Sequence, residues 1–67
     1  MPYINIKVTD ENLSKEQKQQ LIAGATQLLV EVLHKNPEMT HVVIDEVNID
    51  NWGVRGTQYS EIIQAKN

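Results

Sequence analysis

The first residues of the chain alternate between the two sides of an extended backbone. One side is aliphatic and the other carries an aromatic and two polar residues: Ile4, Ile6 and Val8 against Tyr3, Asn5 and Lys7. A period of two residues is typical of a β-strand with one buried face. We therefore predict a strand from Pro2 to Val8.

A long helix is predicted after the polar loop that follows this strand. Ser14 and Gln17 have the spacing of a capping box, in which each side chain accepts a hydrogen bond from the backbone amide of the other residue. The helix should begin there. The apolar residues that follow recur with a period of about 3.6 residues and form a stripe wide enough to cover a sheet. They are Leu21, Ile22, Ala25, Leu28, Leu29, Val32 and Leu33.

The end of this helix also has local signals. His34 and Lys35 suit the negative end of the helix dipole, and Asn36 tolerates a left-handed cap. Pro37 cannot continue a helix. The pattern predicts one helix of about five turns.

A second strand is predicted from Thr40 to Val47, which is rich in β-branched residues. Val42 and Ile44 share one face of this strand, and His41, Val43 and Asp45 share the other. A strand, a long helix and a second strand form a right-handed crossover with the two strands parallel.

The segment after the second strand is rich in turn residues around Trp52, which predicts a tight turn leading into a short hairpin. The tail from Thr57 to Asn67 is compatible with a strand, a helix or a frayed end. The predicted fold is α+β: a β-α-β unit with two parallel strands, one long helix and a short C-terminal hairpin, completed by oligomerisation.

The length of 67 residues allows one domain, residues 1–67, with a thin core. Small scaffolds compensate with disulfides, a metal or association. The chain has no cysteine, which excludes disulfides, and His34 and His41 lack any zinc-ligand spacing, so a structural metal is not expected. Pairing of two-stranded sheets edge to edge would repair their open edges. We therefore expect a homo-oligomer, and the pattern does not choose between a dimer and a hexamer.

The net charge of −3 has acidic and basic residues interspersed, which argues against nucleic acid as a partner. The first residues do not form a basic stretch followed by an apolar run, and no segment approaches the roughly 20 apolar residues of a membrane span. The expectation is a soluble cytoplasmic protein without a membrane partner.

The candidate chemistry lies at the first residues, because no Gly-rich phosphate loop, nucleophile elbow or metal-binding helix motif is present. Initiator methionine is normally removed before a small residue such as Pro2, and the chain then begins with a secondary amine. A chain-terminal amine has a pKa of about 8, which desolvation or a neighbouring cation lowers toward the range of a general base. Taken alone, however, a proline after Met1 is also compatible with nothing more than a stiff first residue.

Several short segments, in this order, resemble the 4-oxalocrotonate tautomerase family over roughly residues 2 to 56. They are Pro2-Tyr3-Ile4-Asn5-Ile6, Glu16-Gln17-Lys18 with Leu21-Ile22, Val42-Val43-Ile44-Asp45-Glu46, and Asn51-Trp52-Gly53 before Gly56. The resemblance implies a β-α-β subunit assembled as dimers and usually as hexamers. It also implies that the amino-terminal proline, here Pro2, moves a proton between carbons of a small enol or dienol acid. Trp52 matches the position of an aromatic residue that keeps the pocket of a neighbouring subunit apolar.

Two arginines that bind substrate in this family have no counterpart here. The loop before the helix reads Glu11-Asn12-Leu13, and His41 stands at the position of the strand arginine. Losing both removes forked donors for a dicarboxylate, so efficient turnover of 2-hydroxymuconate is not expected. Arg55, the only arginine, is a candidate substrate-binding residue or a solvated turn residue. His41 is a candidate for orienting substrate or a polar strand residue at a subunit contact.

Two functions remain open from the sequence. The first is a cofactor-independent keto-enol tautomerase with Pro2 as base and then acid, Arg55 or His41 orienting the substrate, and Trp52 excluding water. The second is a binding or structural member of the same family that has lost turnover.

Overall fold

The computed structural model describes residues 1–65, and the predicted α+β fold is confirmed. Strand β1 (Tyr3–Thr9) is followed by helix α1 (Lys15–Leu33), strand β2 (His41–Val47), the short strands β3 (Gly53–Val54) and β4 (Thr57–Gln58), and helix α2 (Tyr59–Ala65). Two single 3₁₀ turns, Pro37–Met39 and Ile49–Asn51, flank β2. None of the helices in this part of the chain is long and apolar enough to cross a membrane.

Strands β1 and β2 form a parallel two-stranded sheet whose register runs from Tyr3 opposite His41 to Thr9 opposite Val47. The inner face, which packs against α1, is half-buried and consists of Ile4, Ile6, Val8, Val42, Ile44 and Glu46. The outer face is exposed and consists of Tyr3, Asn5, Lys7, His41, Val43 and Asp45. Both faces have the composition that the alternation predicts.

The start of α1 is the predicted capping box. The Gln17 amide donates to the Ser14 hydroxyl oxygen at 3.0 Å, and the Ser14 amide donates to Oε1 of Gln17 at 2.9 Å. On the inner face of the sheet, Lys18 forms an ion pair with Glu46, which ties the first turns of α1 to β2.

The helix ends earlier than the predicted left-handed cap at Asn36, and that prediction is wrong. His34 has the left-handed conformation, with φ 57° and ψ 36°. Asn36 has φ −73°, and its side chain accepts a hydrogen bond from the Glu38 amide at 2.9 Å. The cause is Pro37, which disfavours helical backbone at the residue before it, so the chain must leave the helix earlier.

Only half of the predicted apolar stripe of α1 covers the sheet. Ile22, Ala25 and Leu29 are half-buried, whereas Leu28 and Val32 are 56% and 64% exposed. The sheet explains the difference, because its two strands lie about 4.8 Å apart while a helix with side chains is about 10 Å wide. The outer half of the stripe therefore has no partner within the subunit.

A single subunit is extended and has a thin core. No side chain among residues 1–64 is fully buried. The accessible surface is 5278 Å², whereas a compact protein of this mass exposes about 4,300 Å². The radius of gyration is 15.4 Å, whereas about 11 Å is expected for a compact chain of this length. The excess surface is of the size that subunit association buries.

The C-terminal hairpin pairs Gly53 with Gln58 and Val54 with Thr57. The 3₁₀ turn Ile49–Asn51 leads into it, as predicted, and Arg55-Gly56 form its own loop. In the tail that the sequence left undecided, Thr57–Gln58 form β4 and Tyr59–Ala65 form α2, and Lys66 and Asn67 lie outside the described residues. The hairpin and α2 pack mainly on each other and on the 3₁₀ turn Ile49–Asn51.

Candidate functional site

Pro2 directly precedes β1 and is half-buried. Its carbonyl oxygen accepts a hydrogen bond of 3.0 Å from the backbone amide of His41. Met1, which acylates the Pro2 nitrogen, is 83% exposed. Met1 can therefore be removed without disturbing the packing of the strand, and its removal turns an inert amide into a basic secondary amine.

His41 begins β2 at the same end of the sheet. Its register partner is Tyr3, so its side chain lies on the exposed outer face. Tyr3 beside it is 62% exposed. The structure thus brings Pro2 and His41 together through a backbone contact, as neighbours on adjacent strands.

Trp52 and Arg55 belong to the C-terminal hairpin. Trp52 is half-buried, and its carbonyl oxygen accepts a hydrogen bond of 2.7 Å from the Tyr59 amide. The Gln58 side-chain amide donates to the carbonyl oxygen of Asp50 at 3.0 Å. Arg55 is exposed at the tip, with φ 56°. These bonds hold the hairpin together as a unit that carries an aromatic ring and a guanidinium.

The hairpin and Pro2 lie at opposite ends of the sheet. The strands are parallel, Pro2 precedes the first residue of β1, and the hairpin follows the last residue of β2. The six steps of about 3.3 Å between the seven paired residues separate these ends by about 20 Å. Within one subunit the structure therefore does not bring Trp52 or Arg55 to Pro2, and the described residues of a single subunit form no enclosed cavity.

The outer face also contains a polar contact that the sequence did not predict. The Asn5 side-chain amide donates to Oδ2 of Asp45 at 2.8 Å, and Lys7 is the register partner of Asp45. The alternation placed all three residues on this face, but only the register of the two strands shows which of them meet. Residues 1–65 contain no cluster of three His, Cys, Asp or Glu side chains that could hold a metal ion.

The sequence model of the family described as "Tautomerase enzyme" matches residues 2–62, which is nearly the whole chain. The chain belongs to the tautomerase family. The match includes Pro2, both long strands, α1 and the hairpin.

Known tautomerases resemble this one in sequence and in structure. The present chain is 56% identical over 61 residues to a protein named probable tautomerase K2 from Dickeya dadantii, and the match covers 91% of each chain. The crystal structure of DmpI from Helicobacter pylori has a TM-score of 0.87 at 46% identity, covering 94% of this chain and 97% of that one. A 4-oxalocrotonate tautomerase isozyme from Methylibium petroleiphilum has a TM-score of 0.83 at 28% identity, covering 91% and 97%. The resemblance to the 4-oxalocrotonate tautomerase family is therefore confirmed, and membership supports tautomerase activity, an isomerisation.

Proposed function

We propose that this tautomerase interconverts the enol and keto forms of a small 2-oxo acid without a cofactor, using Pro2 as general base and then general acid. The observation that carries the proposal is the position of Pro2, which is half-buried before β1 and held by the His41 amide, next to an exposed Met1. A half-buried amine is partly desolvated, which favours its neutral, basic form.

The proposed reaction balances within the substrate. The Pro2 nitrogen takes the proton of the enol hydroxyl at C2, the C2–O bond becomes a carbonyl, and the electrons of the C2–C3 double bond move to C3. The protonated Pro2 then returns the proton to C3. The nitrogen ends as it began, so neither a cofactor nor a co-reactant is needed.

Arg55, His41 and Trp52 are the proposed substrate-binding residues. A guanidinium can hold a carboxylate through two parallel hydrogen bonds, and an indole can exclude water from the reacting atoms. His41 already touches Pro2 through its backbone. The loop Glu11-Asn12-Leu13 and His41 stand where the family carries arginines, so turnover of the dicarboxylate 2-hydroxymuconate is proposed to be inefficient.

The active form is proposed to be a homo-oligomer, either a dimer or a hexamer. Each long strand has one unpaired edge, the outer half of the α1 stripe is exposed, and the subunit has about 1,000 Å² more surface than a compact monomer. A standard interface buries about 800 Å² per partner, so association removes this excess.

The direct test compares the parent protein with Pro2→Ala, using intact mass to show that Met1 is absent from both. With phenylenolpyruvate as substrate, the substitution should lower the ketonisation rate on the order of 10²- to 10⁴-fold, the usual contribution of a general acid-base residue. If the parent also ketonises only at the buffer rate, the chain is the binding or structural family member instead.

A further inference from the structure

Arg55 has a backbone conformation that favours other residue types. It and Gly56 form a two-residue loop between Val54 and Thr57, with φ 56° and 75°. Positive φ at both positions is the type I′ turn, whose first position is best filled by Asn, Asp or Gly. An arginine there costs conformational energy that asparagine avoids. Such a costly placement at the tip of a hairpin points to a role for the side chain.

The guanidinium cannot serve the Pro2 of its own subunit. The hairpin leaves the sheet beyond Val47, about 20 Å from the end where Pro2 lies, which exceeds the reach of one side chain. The hairpin also packs on Ile49–Asn51 and α2 and makes no substantial contact with β1 or α1. The described part of the subunit is 45 Å long, which accommodates such a separation within one copy.

Two of the lysines on the strands and on α1 lie near acidic residues. Lys18 forms an ion pair with Glu46, and Lys7 is in register with Asp45. Arg55 is the only arginine, so each subunit supplies one forked donor. One guanidinium holds one carboxylate bidentately.

We propose that Arg55 of one copy completes the Pro2 site of a second copy and restricts that site to enol acids with a single carboxylate and an apolar tail. This inference rests on the proposed function. Trp52, which directly precedes the hairpin, is half-buried, so its exposed part can add an apolar surface to the same site. A second carboxylate on the substrate would lie against that surface without a forked partner, which disfavours dicarboxylates.

The first arm of the test uses Arg55→Asn, which suits the I′ turn and removes the cation without threatening the fold. The substrates are phenylenolpyruvate and its methyl ester, and Lys35→Gln is the matched control because it removes one exposed positive charge from the end of α1. For the acid, Arg55→Asn should lower kcat/KM on the order of 10- to 100-fold. The loss should be several-fold smaller for the ester, and Lys35→Gln should behave like the parent.

The second arm tests whether the site spans two copies. Pro2→Ala and Arg55→Asn proteins are mixed, dissociated in denaturant and reassembled together. When equal amounts reassemble at random, half of the sites have an intact Pro2, and half of those receive an intact Arg55 from a second chain. Activity should therefore return to about a quarter of the parental value. If both residues came from one chain, reassembly would give only the sum of the two weak activities.

The outcomes separate this inference from the proposed function. A parent that is inactive, or a Pro2→Ala protein that retains full activity, overturns the proposed chemistry before Arg55 is measured. A Pro2-dependent parent whose Arg55→Asn variant loses acid and ester turnover equally, or loses neither, overturns the carboxylate role. A Pro2-dependent parent whose mixed oligomers gain no activity overturns the placement in a second copy.

Discussion

The backbone amide of His41 donates a 3.0 Å hydrogen bond to the carbonyl oxygen of Pro2. This bond is the first of the parallel ladder and belongs to its first register pair, Tyr3 and His41. It fixes the carbonyl side of Pro2, whereas the residue on the nitrogen side, Met1, is exposed. The strand therefore stays anchored whether or not Met1 is present, and the chemistry of the nitrogen can be tested separately from the fold.

Protein that retains Met1 should fold normally and fail to catalyse ketonisation. It can be prepared by inhibiting methionine aminopeptidase during expression and verified by intact mass. We expect a melting temperature close to that of the processed protein, because Met1 is exposed. The rate with phenylenolpyruvate should fall to the buffer rate, since an amide nitrogen cannot accept the enol proton.

The control for this prediction is treatment of the same material with methionine aminopeptidase. Activity should return in proportion to the mass that has lost Met1. A parental rate in fully Met1-retaining protein would remove Pro2 from the mechanism.

His41→Arg should improve turnover of a dicarboxylate. The substitution introduces a forked donor at position 41, at the sheet end that holds Pro2. We expect kcat/KM for 2-hydroxymuconate to rise on the order of tenfold, the value of one added charge-assisted contact. His34→Arg is the matched control, because it makes the same exchange at the other histidine of the chain. An equal rise in both variants would show a general charge effect and contradict a role for position 41.

Much of the fold could be predicted because its signals are local. The alternation in β1 and the capping box of Ser14 and Gln17 need only neighbouring residues, and both are confirmed. The cap at His34 was missed because Asn36 had the more favourable residue type, and the effect of Pro37 on its predecessor decided the outcome. Helix α2 offered too few apolar residues for a period to emerge.

The candidate site depends on longer-range relationships. Pro2 could be proposed from the chemistry of an uncapped first residue, and its bond to His41 became visible only with the strand register. The left-handed backbone of Arg55 could not be predicted from its residue type, because arginine rarely adopts this conformation. The neighbouring Gly56 indicates a turn but does not show that Arg55 shares the positive φ. The separation of Pro2 from the hairpin follows from parallel pairing, since whatever follows β2 must start at the far end of the sheet.

His34→Gly should stabilise the protein. His34 has φ 57° at the end of α1, where glycine is free of the steric cost that other residues meet. After the larger unfolded-state entropy of glycine is allowed for, we expect a gain of about 0.5 kcal/mol in the free energy of unfolding. Chemical denaturation at fixed protein concentration measures it.

Asn36→Gly is the comparison for this prediction. Asn36 has φ −73°, a conformation in which glycine has no steric advantage. The substitution also removes the side-chain oxygen that accepts a hydrogen bond from the Glu38 amide. It should destabilise the protein by about 0.5–1 kcal/mol. If Asn36→Gly stabilised and His34→Gly did not, the helix would end at Asn36, contrary to the structure.

Leu28→Glu should weaken subunit association and, through it, activity. Leu28 is 56% exposed in the subunit, and Val32 one turn further along α1 is 64% exposed. Burying a leucine against a partner contributes about 1.5–3 kcal/mol, so a glutamate there should raise the dissociation constant about 10- to 100-fold. Sedimentation velocity across a concentration series measures the shift.

Gln20→Glu, which adds the same charge at an exposed polar position of α1, should leave association unchanged. Because the proposed site combines Pro2 with the hairpin of another copy, turnover by Leu28→Glu should decline on dilution together with the oligomer. A variant that assembles like the parent would show that this half of the α1 stripe faces solvent.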